Sequence, residues 1–196
     1  MIYLIFRLIF WLKGWKIDPN FDQRADRSVL IAIGHTSNWD FLVAFVAWRM
    51  LKLNARFTIK KEFNKFLIGP WLKSMGALWI DRSPKVPGEK RKSMVEAMVD
   101  IFKQRPDEKL AMIVTVEGTR SYQSNWKTGF YHVAKQANVP IAMGYIDYEK
   151  KIVGIPEVFI PTEDMDADMR KIVDFYRQRA KPKFPEKFAL DERYVD

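Results

Sequence analysis

The sequence predicts an α/β fold in which a mixed, largely parallel sheet is flanked by helices. Short apolar runs bounded by polar residues, Gly or Pro alternate with longer segments of helical periodicity. Such alternation is typical of a sheet covered by helices. No repeat, low-complexity segment or flexible linker divides the 196 residues, so we expect one substantial core.

The predicted elements follow one another along the chain. Strands are expected near residues 29–33, 55–59, 77–80, 110–116, 140–146 and 151–155. Helices are expected near residues 40–52, 62–74, 88–104, 126–137 and 164–180. The helix over 62–74 contains Gly69-Pro70 among aromatic residues and Lys, which predicts either a kinked core helix or a segment lying on lipid. The tail over 181–188 has two prolines, and we expect it to be extended.

Residues 1–16 predict an amphipathic helix at a membrane surface. The segment is strongly apolar, contains no acidic residue and carries Arg7 in its middle. A spanning helix needs about 20 apolar residues, and Arg7 interrupts this run. The same Arg and the lack of a small-x-small cleavage site argue against a signal peptide. We therefore expect an interfacial helix with Trp11 and Trp15 at headgroup level, followed by a single domain over 17–196. A helix packed on the protein's own core is the alternative.

The net charge of +9 is unevenly distributed. Residues 49–92 hold twelve Lys or Arg against three acidic residues, which fits nucleic acid, anionic lipid or an acidic ligand, or simply a solvated face. The acid-free N-terminus favours an anionic membrane surface over nucleic acid. Because the chain has no Cys and only His35 and His132, disulfides are excluded and we expect no metal site.

Two polar motifs follow predicted strands. His35 to Asp40 comes after the run over 29–33, and Glu117 to Arg120 comes after the run over 110–114. Ligand sites in open α/β sheets lie at such strand ends. If Asp40 occupies the first turn of a helix, its carboxylate can accept one ring N–H of His35. The other nitrogen can then take a proton from a hydroxyl. The alternative is a capping Asp beside a hydrogen-bonded loop His.

Cationic groups at the same strand ends indicate an anionic substrate. Arg120 offers a planar fork suited to phosphate, and Gly118 permits close approach of backbone. Thr119 can cap or donate a hydrogen bond, and Lys127 lies at an expected helix start, where anions are favoured. Arg82 ends another predicted strand. We expect these residues to bind the substrate.

Four motifs, taken in order, resemble the sequence blocks of the glycerolipid acyltransferase family, whose best-known members are 1-acyl-glycerol-3-phosphate (lysophosphatidate) acyltransferases. The motifs are His35-x4-Asp40, Gly76 to Arg82, Glu117 to Ser121, and Val139 to Ile141. The resemblance spans about residues 30–145. It implies an α/β acyltransferase domain on a membrane surface, with an acyl-CoA or acyl-carrier-protein thioester as co-substrate and no further cofactor.

The resemblance also implies roles for single residues. His35 resembles the family's general base and Asp40 its orienting partner. The positions that resemble the acceptor's phosphate site are Arg82, Glu117, Gly118 and Arg120. One departure is Gly34, which stands where the family commonly has Asn.

We therefore expect an O-acyltransferase that is peripheral or monotopic, on the cytoplasmic face of a membrane. It would move a fatty acyl group to a hydroxyl of a phosphorylated lysolipid such as 1-acyl-glycerol-3-phosphate. With no Cys and no Ser in a Gly-x-Ser-x-Gly setting, a direct transfer is favoured. Glycerol-3-phosphate or another lysolipid is an alternative acceptor. A non-catalytic module binding anionic lipid or nucleic acid is the alternative of another class, but it gives no reason for His35 and Asp40.

Overall fold

The computed structural model describes residues 2–60, 69–80, 82 and 91–195. The strands are β1 (Lys16–Ile17), β2 (Ser28–Ala32), β3 (Ala55–Lys60), β4 (Ala77–Ile80), β5 (Ala111–Thr115), β6 (Ile141–Asp147) and β7 (Ile152–Phe159). The helices are α1 (Ile2–Leu12), α2 (Asn38–Met50), α3 (Gly69–Ser74), α4 (Met94–Lys103), α5 (Gly129–Ala137) and α6 (Met165–Arg179).

The strands form one sheet in the order β1-β7-β6-β2-β5-β3-β4. Every neighbouring pair is parallel except β6 and β7, which are antiparallel, so the predicted mixed, largely parallel sheet is confirmed. Strand β2 lies at the centre, between β5 and β6. Ala32 pairs with Thr115 at the carboxyl ends of β2 and β5, so the loops that follow these two strands start side by side.

Apolar residues cover both faces of the sheet, which is why the strands read as continuous apolar runs rather than as alternating ones. Val29 and Ile31 of β2 pack against the layer formed by α4, α5 and α6. Leu30 points the other way and packs with Phe45 and Trp48 of α2. The helix layer containing α2 is the one that borders the candidate site.

Helix α1 is apolar on two opposite faces. Phe10 is buried, and Tyr3 and Phe6 pack edge-on against Phe45 of α2, with ring centroids 6.4 and 5.9 Å away. The opposite face exposes five large apolar side chains. They are Leu4, Ile5, Leu8, Trp11 and Leu12. Helix α1 therefore packs on the protein's own core through one face and leaves the other apolar face exposed. No helix in the described part of the chain is long and apolar enough to cross a membrane.

Some predicted boundaries are wrong. Helix α5 begins at Gly129 rather than at 126, because its first hydrogen bonds run from the backbone N–H groups of Tyr131 and His132 to the carbonyl of Thr128, the N-cap residue. Gly69 and Pro70 are the first two described residues of α3, and the kink expected there stays a prediction.

The other differences concern segment ends. Helix α4 starts at Met94 after a capping box formed by Ser93 and Glu96. Residues 91–93, which the sequence predicts to be helical, therefore precede the helix. The tail contains a 3₁₀ turn over Pro185–Lys187 and is not extended throughout. The predicted helical residues 62–68 and 88–90 lie outside the described residues.

Candidate active site

The loops after β2 and β5 are held together by one buried carboxylate. Glu117 is only 5% exposed and accepts hydrogen bonds from the backbone N–H groups of Gly34, at 2.9 Å, and His35, at 3.4 Å. Burial raises the pKa of Glu117, and the two N–H groups partly offset this effect. Gly34 has φ +79°, a left-handed conformation in which Asn is among the least strained alternatives to Gly. The conformation of this loop thus places His35 at the carboxyl end of β2.

Asp40 both caps α2 and contacts the histidine. Its Oδ2 accepts the backbone N–H of Ser37 at 2.7 Å within a capping box, and it lies 3.3 Å from Nδ1 of His35. The carboxylate is in the first helical turn and Asp40 is 4% exposed. The sequence offers two interpretations of Asp40, a helix cap and a partner of the histidine. The side chain makes both contacts at once.

The contacts of His35 assign its tautomer. Nδ1 faces a carboxylate that can only accept, so this nitrogen carries the hydrogen. Nε2 accepts the Nε–H of Arg120 at 3.3 Å, so Nε2 bears the lone pair. Arg120 is exposed, whereas the side chain of His35 is mostly covered. The nitrogen available for proton transfer is therefore the one beside the guanidinium of Arg120.

A third side chain completes the environment of the carboxylate. The Tyr148 hydroxyl donates to Oδ1 of Asp40 at 2.5 Å, and the Tyr148 ring packs edge-on against Trp15 at 4.9 Å. Burial, together with the adjacent Asp40, raises the pKa of Tyr148, so its hydroxyl remains a donor. Sequence reasoning missed Tyr148, because it lies in an ordinary turn between β6 and β7, 108 residues from Asp40. Only the pairing of β6 with β2 brings it to the site.

The histidine and the carboxylate open onto a cavity of about 500 Å³ between α2 and the sheet. Its polar end is formed by His35, Asn38, Asp40 and Arg120. Deeper wall residues are apolar, among them Leu30, Phe41, Ala44, Trp48, Phe57 and Met75. The site thus combines a histidine, the carboxylate in contact with it and a cation with an apolar chamber.

The other residues expected at the site do not line this cavity. Arg82 donates its Nε–H to the Lys92 carbonyl at 2.8 Å. The Thr119 hydroxyl accepts the N–H of Ser121 at 3.3 Å.

Two more of these residues lie against each other behind the loop. Gly118 has φ +67°, and the Lys127 side chain covers the position that a Cβ would take there. Glu117 holds the loop rather than facing the cavity. The described residues contain no group of three or more His, Asp or Glu placed to hold a metal ion.

Comparison with known proteins gives the class. The family model described as Acyltransferase matches residues 19–145 of this chain. The chain therefore belongs to the acyltransferase family and is an acyltransferase, as the resemblance of its motifs to glycerolipid acyltransferases predicts.

A solved structure shares the fold. The crystal structure of the 1-acyl-sn-glycerophosphate (LPA) acyltransferase PlsC from Thermotoga maritima matches with a TM-score of 0.60 at 15% sequence identity, covering 90% of this chain and 76% of that chain. No curated protein matches the chain significantly. At this identity the likeness supports the architecture described above.

Proposed function

We propose that this acyltransferase works at a membrane and moves a fatty acyl group from an acyl-CoA or acyl-carrier-protein thioester to a hydroxyl of a phosphorylated lysolipid, such as 1-acyl-glycerol-3-phosphate. The observation that carries the proposal is the His35–Asp40 pair at the mouth of an apolar cavity, with Arg120 beside the base. A base, an acyl chamber and a phosphate-binding cation are the three requirements of such a transfer.

The transfer proceeds by direct attack. The acceptor hydroxyl gives its proton to Nε2 of His35 as its oxygen attacks the thioester carbonyl. The tetrahedral intermediate then collapses, and the departing thiolate takes the proton from the imidazolium. Asp40 holds the ring and stabilises its positive charge. A well-placed base contributes about 10²–10⁴-fold, and the positioning of the two substrates supplies much of the rest.

Arg120 links acceptor binding to the base. Its Nε–H occupies the Nε2 lone pair that must accept the proton. A phosphate is a stronger partner for a guanidinium than a neutral ring nitrogen, because it accepts two charge-assisted hydrogen bonds. A phosphorylated acceptor therefore draws Arg120 away from Nε2 as it brings its own hydroxyl to His35.

The apolar inner part of the cavity supports a donor that carries a fatty acyl chain. An acyl chain that enters between α2 and the sheet meets Phe41, Ala44 and Trp48 along the helix. Each buried methylene contributes about 0.8 kcal/mol. Donor affinity should therefore rise with chain length until the cavity is full.

The outer face of α1 supports membrane association. At 3.6 residues per turn, Leu4, Leu8 and Trp11 lie on the side opposite Phe6 and Phe10. Trp11 is 72% exposed and Leu4 is 64% exposed. A helix that is apolar on both faces needs apolar cover on its outer side as well, and a bilayer interface supplies it.

The membrane proposal can be tested without disturbing the core. Leu8→Ser combined with Leu12→Ser changes only the outer face, whereas removal of the whole helix would also uncover Phe45. We expect the double variant to remain folded and to sediment less with anionic vesicles. Unchanged sedimentation would contradict a membrane role for this face.

The acceptor is tested by thiol release from acyl-CoA and from acyl-carrier protein. The acceptors are 1-acyl-glycerol-3-phosphate, glycerol-3-phosphate and the matching monoacylglycerol, which lacks the phosphate. We expect kcat/KM for 1-acyl-glycerol-3-phosphate to exceed that for monoacylglycerol by at least about tenfold, the value of one charge-assisted hydrogen bond. Equal values would contradict a phosphorylated acceptor. Preference for glycerol-3-phosphate would identify the alternative acceptor, which Arg120 could bind through the same group.

A further inference from the structure

A second cavity, of about 280 Å³, lies beside the first turn of α2 and shares no lining residue with the acyl cavity. Asn38 and Phe41 face the acyl cavity, whereas Trp39 and Leu42 face this one. The remaining wall comes from the end of α1, the turn between β6 and β7, and the tail. These residues include Ile9, Lys13, Trp15, Tyr148, Lys151 and Lys183.

The charge of this wall has one sign. Lys13, Lys151 and Lys183 line the cavity, and none of the lining residues is acidic. Among residues 2–60, 69–80, 82 and 91–195, no ion pair joins any of these three ammonium groups to a carboxylate. Three cations in one cavity wall that has no acidic lining residue favour an anionic ligand.

The wall also has an apolar side. The Lys183 ammonium lies 5.2 Å from the centre of the Trp39 ring, and the Lys151 side chain reaches over Gly14. Trp15 and Ile9 add aromatic and aliphatic surface to the same cavity wall. The preferred ligand therefore carries an anion directly attached to a less polar part.

The position of the cavity distinguishes between two sources of phosphate. Ile9 and Lys13 lie at the border between the buried and the exposed apolar face of α1. A bilayer that covers the exposed face brings its headgroup phosphates to this border. The nucleotide part of CoA carries phosphate too, but it has no need of the adjoining apolar helix.

We propose that this second cavity binds the phosphate of an anionic phospholipid at the membrane surface. The proposal rests on the membrane association proposed above and is independent of the acyl transfer itself. The site would fix the depth and rotation of the protein on the bilayer, because its walls come from α1, the β6–β7 turn and the tail together.

The chain provides matched variants for a test. Lys151→Gln with Lys183→Gln removes two cavity cations, and Lys150→Gln with Lys187→Gln removes two exposed cations nearby that do not line the cavity. Binding is measured by sedimentation with phosphatidylcholine vesicles that contain phosphatidylglycerol. If only the general attraction to the anionic surface matters, both double variants lose the same vesicle affinity, roughly fivefold per Lys removed. If the cavity binds a phospholipid phosphate, Lys151→Gln/Lys183→Gln loses about tenfold more vesicle affinity than Lys150→Gln/Lys187→Gln. Equal losses would overturn the proposal.

Soluble ligands identify the source of the phosphate. Monomeric dihexanoyl-phosphatidylglycerol, inorganic phosphate and CoA are each titrated while Trp fluorescence is recorded, with Trp39→Phe used to assign the signal. We expect the short-chain lipid to bind the wild type and the Lys150→Gln/Lys187→Gln control, and to bind the cavity pair at least about tenfold more weakly. Loss of CoA affinity in the cavity pair, or inorganic phosphate binding as tightly as the lipid, would overturn the lipid assignment.

Turnover separates this proposal from the proposed function. Thiol release is measured in neutral detergent for the wild type and both double variants, where we expect equal rates. If the wild type does not turn over although the cavity pair loses lipid binding, the transfer proposal fails and the lipid site stands. If turnover is normal and both pairs bind vesicles equally, the lipid site fails alone.

Discussion

Replacement of Tyr148 by Phe isolates one hydrogen bond to the proposed catalytic carboxylate. The change keeps the ring that packs on Trp15 and removes only the hydroxyl that donates to Asp40 at 2.5 Å. Oδ2 of Asp40 retains the Ser37 N–H and the contact with His35. Oδ1 then lies in a residue that is 4% exposed and lacks its protein donor.

The size of the effect follows from this geometry. A hydrogen bond to a charged group contributes about 1.5–3 kcal/mol, so we expect kcat to fall by at most about 10- to 150-fold. In the proposed mechanism this loss falls on kcat, because Asp40 would stabilise an imidazolium that forms only during the reaction. KM for donor and acceptor should change less than about twofold, because Tyr148 does not line the acyl cavity.

Tyr131→Phe is the matched control. The Tyr131 hydroxyl also donates to a buried carboxylate, Asp168, at 2.8 Å, but in a part of α5 away from the cavity. Thermal unfolding and thiol release are measured for both variants. We expect a stability loss in both and a specific loss of kcat only in Tyr148→Phe. Wild-type kcat for Tyr148→Phe, or equal kcat losses in the two variants, would refute the positioning role.

Three further substitutions test separate parts of the site. Arg120→Lys should lower kcat/KM about 10- to 150-fold for 1-acyl-glycerol-3-phosphate and far less for monoacylglycerol, since an ammonium cannot hold two phosphate oxygens; an equal penalty would make Arg120 structural. Glu117→Gln keeps an acceptor for Gly34 but loses the one for the His35 N–H, so kcat should fall alike for both acceptors. A penalty confined to the phosphorylated acceptor would instead place Glu117 in a phosphate site. Ala44→Phe narrows the acyl cavity and should shift the preference, measured over a series of acyl-CoA lengths, to shorter donors; an unchanged profile would place the chain elsewhere.

The parts of the site that the sequence predicts are those encoded locally. His35 follows a buried strand and Asp40 falls in the first turn of the next helix, so a few residues determine their contact. The alternation of short apolar runs with segments of helical periodicity likewise predicts the sheet, because such runs are typical of buried strands.

The remaining features depend on which strands are neighbours. Glu117 lies in a sequence motif typical of ligand binding. Because β2 and β5 are neighbours, however, its carboxylate accepts hydrogen bonds from the backbone N–H groups of Gly34 and His35. Tyr148 reaches Asp40 only through the pairing of β2 with β6. The second cavity combines Lys13, Lys151 and Lys183 from three distant segments. No local spacing reports such contacts.

The central claim, that Nε2 of His35 is the general base, is tested most directly by thiol release from acyl-CoA with His35→Ala. We expect kcat to fall about 10²–10⁴-fold, with the unfolding temperature and vesicle binding unchanged, because His35 lies in the loop after β2 rather than in the core. Asp40→Asn should cause a smaller but still large loss, since the ring remains while the stabilising charge is removed. Turnover at the wild-type rate by folded His35→Ala would contradict the mechanism.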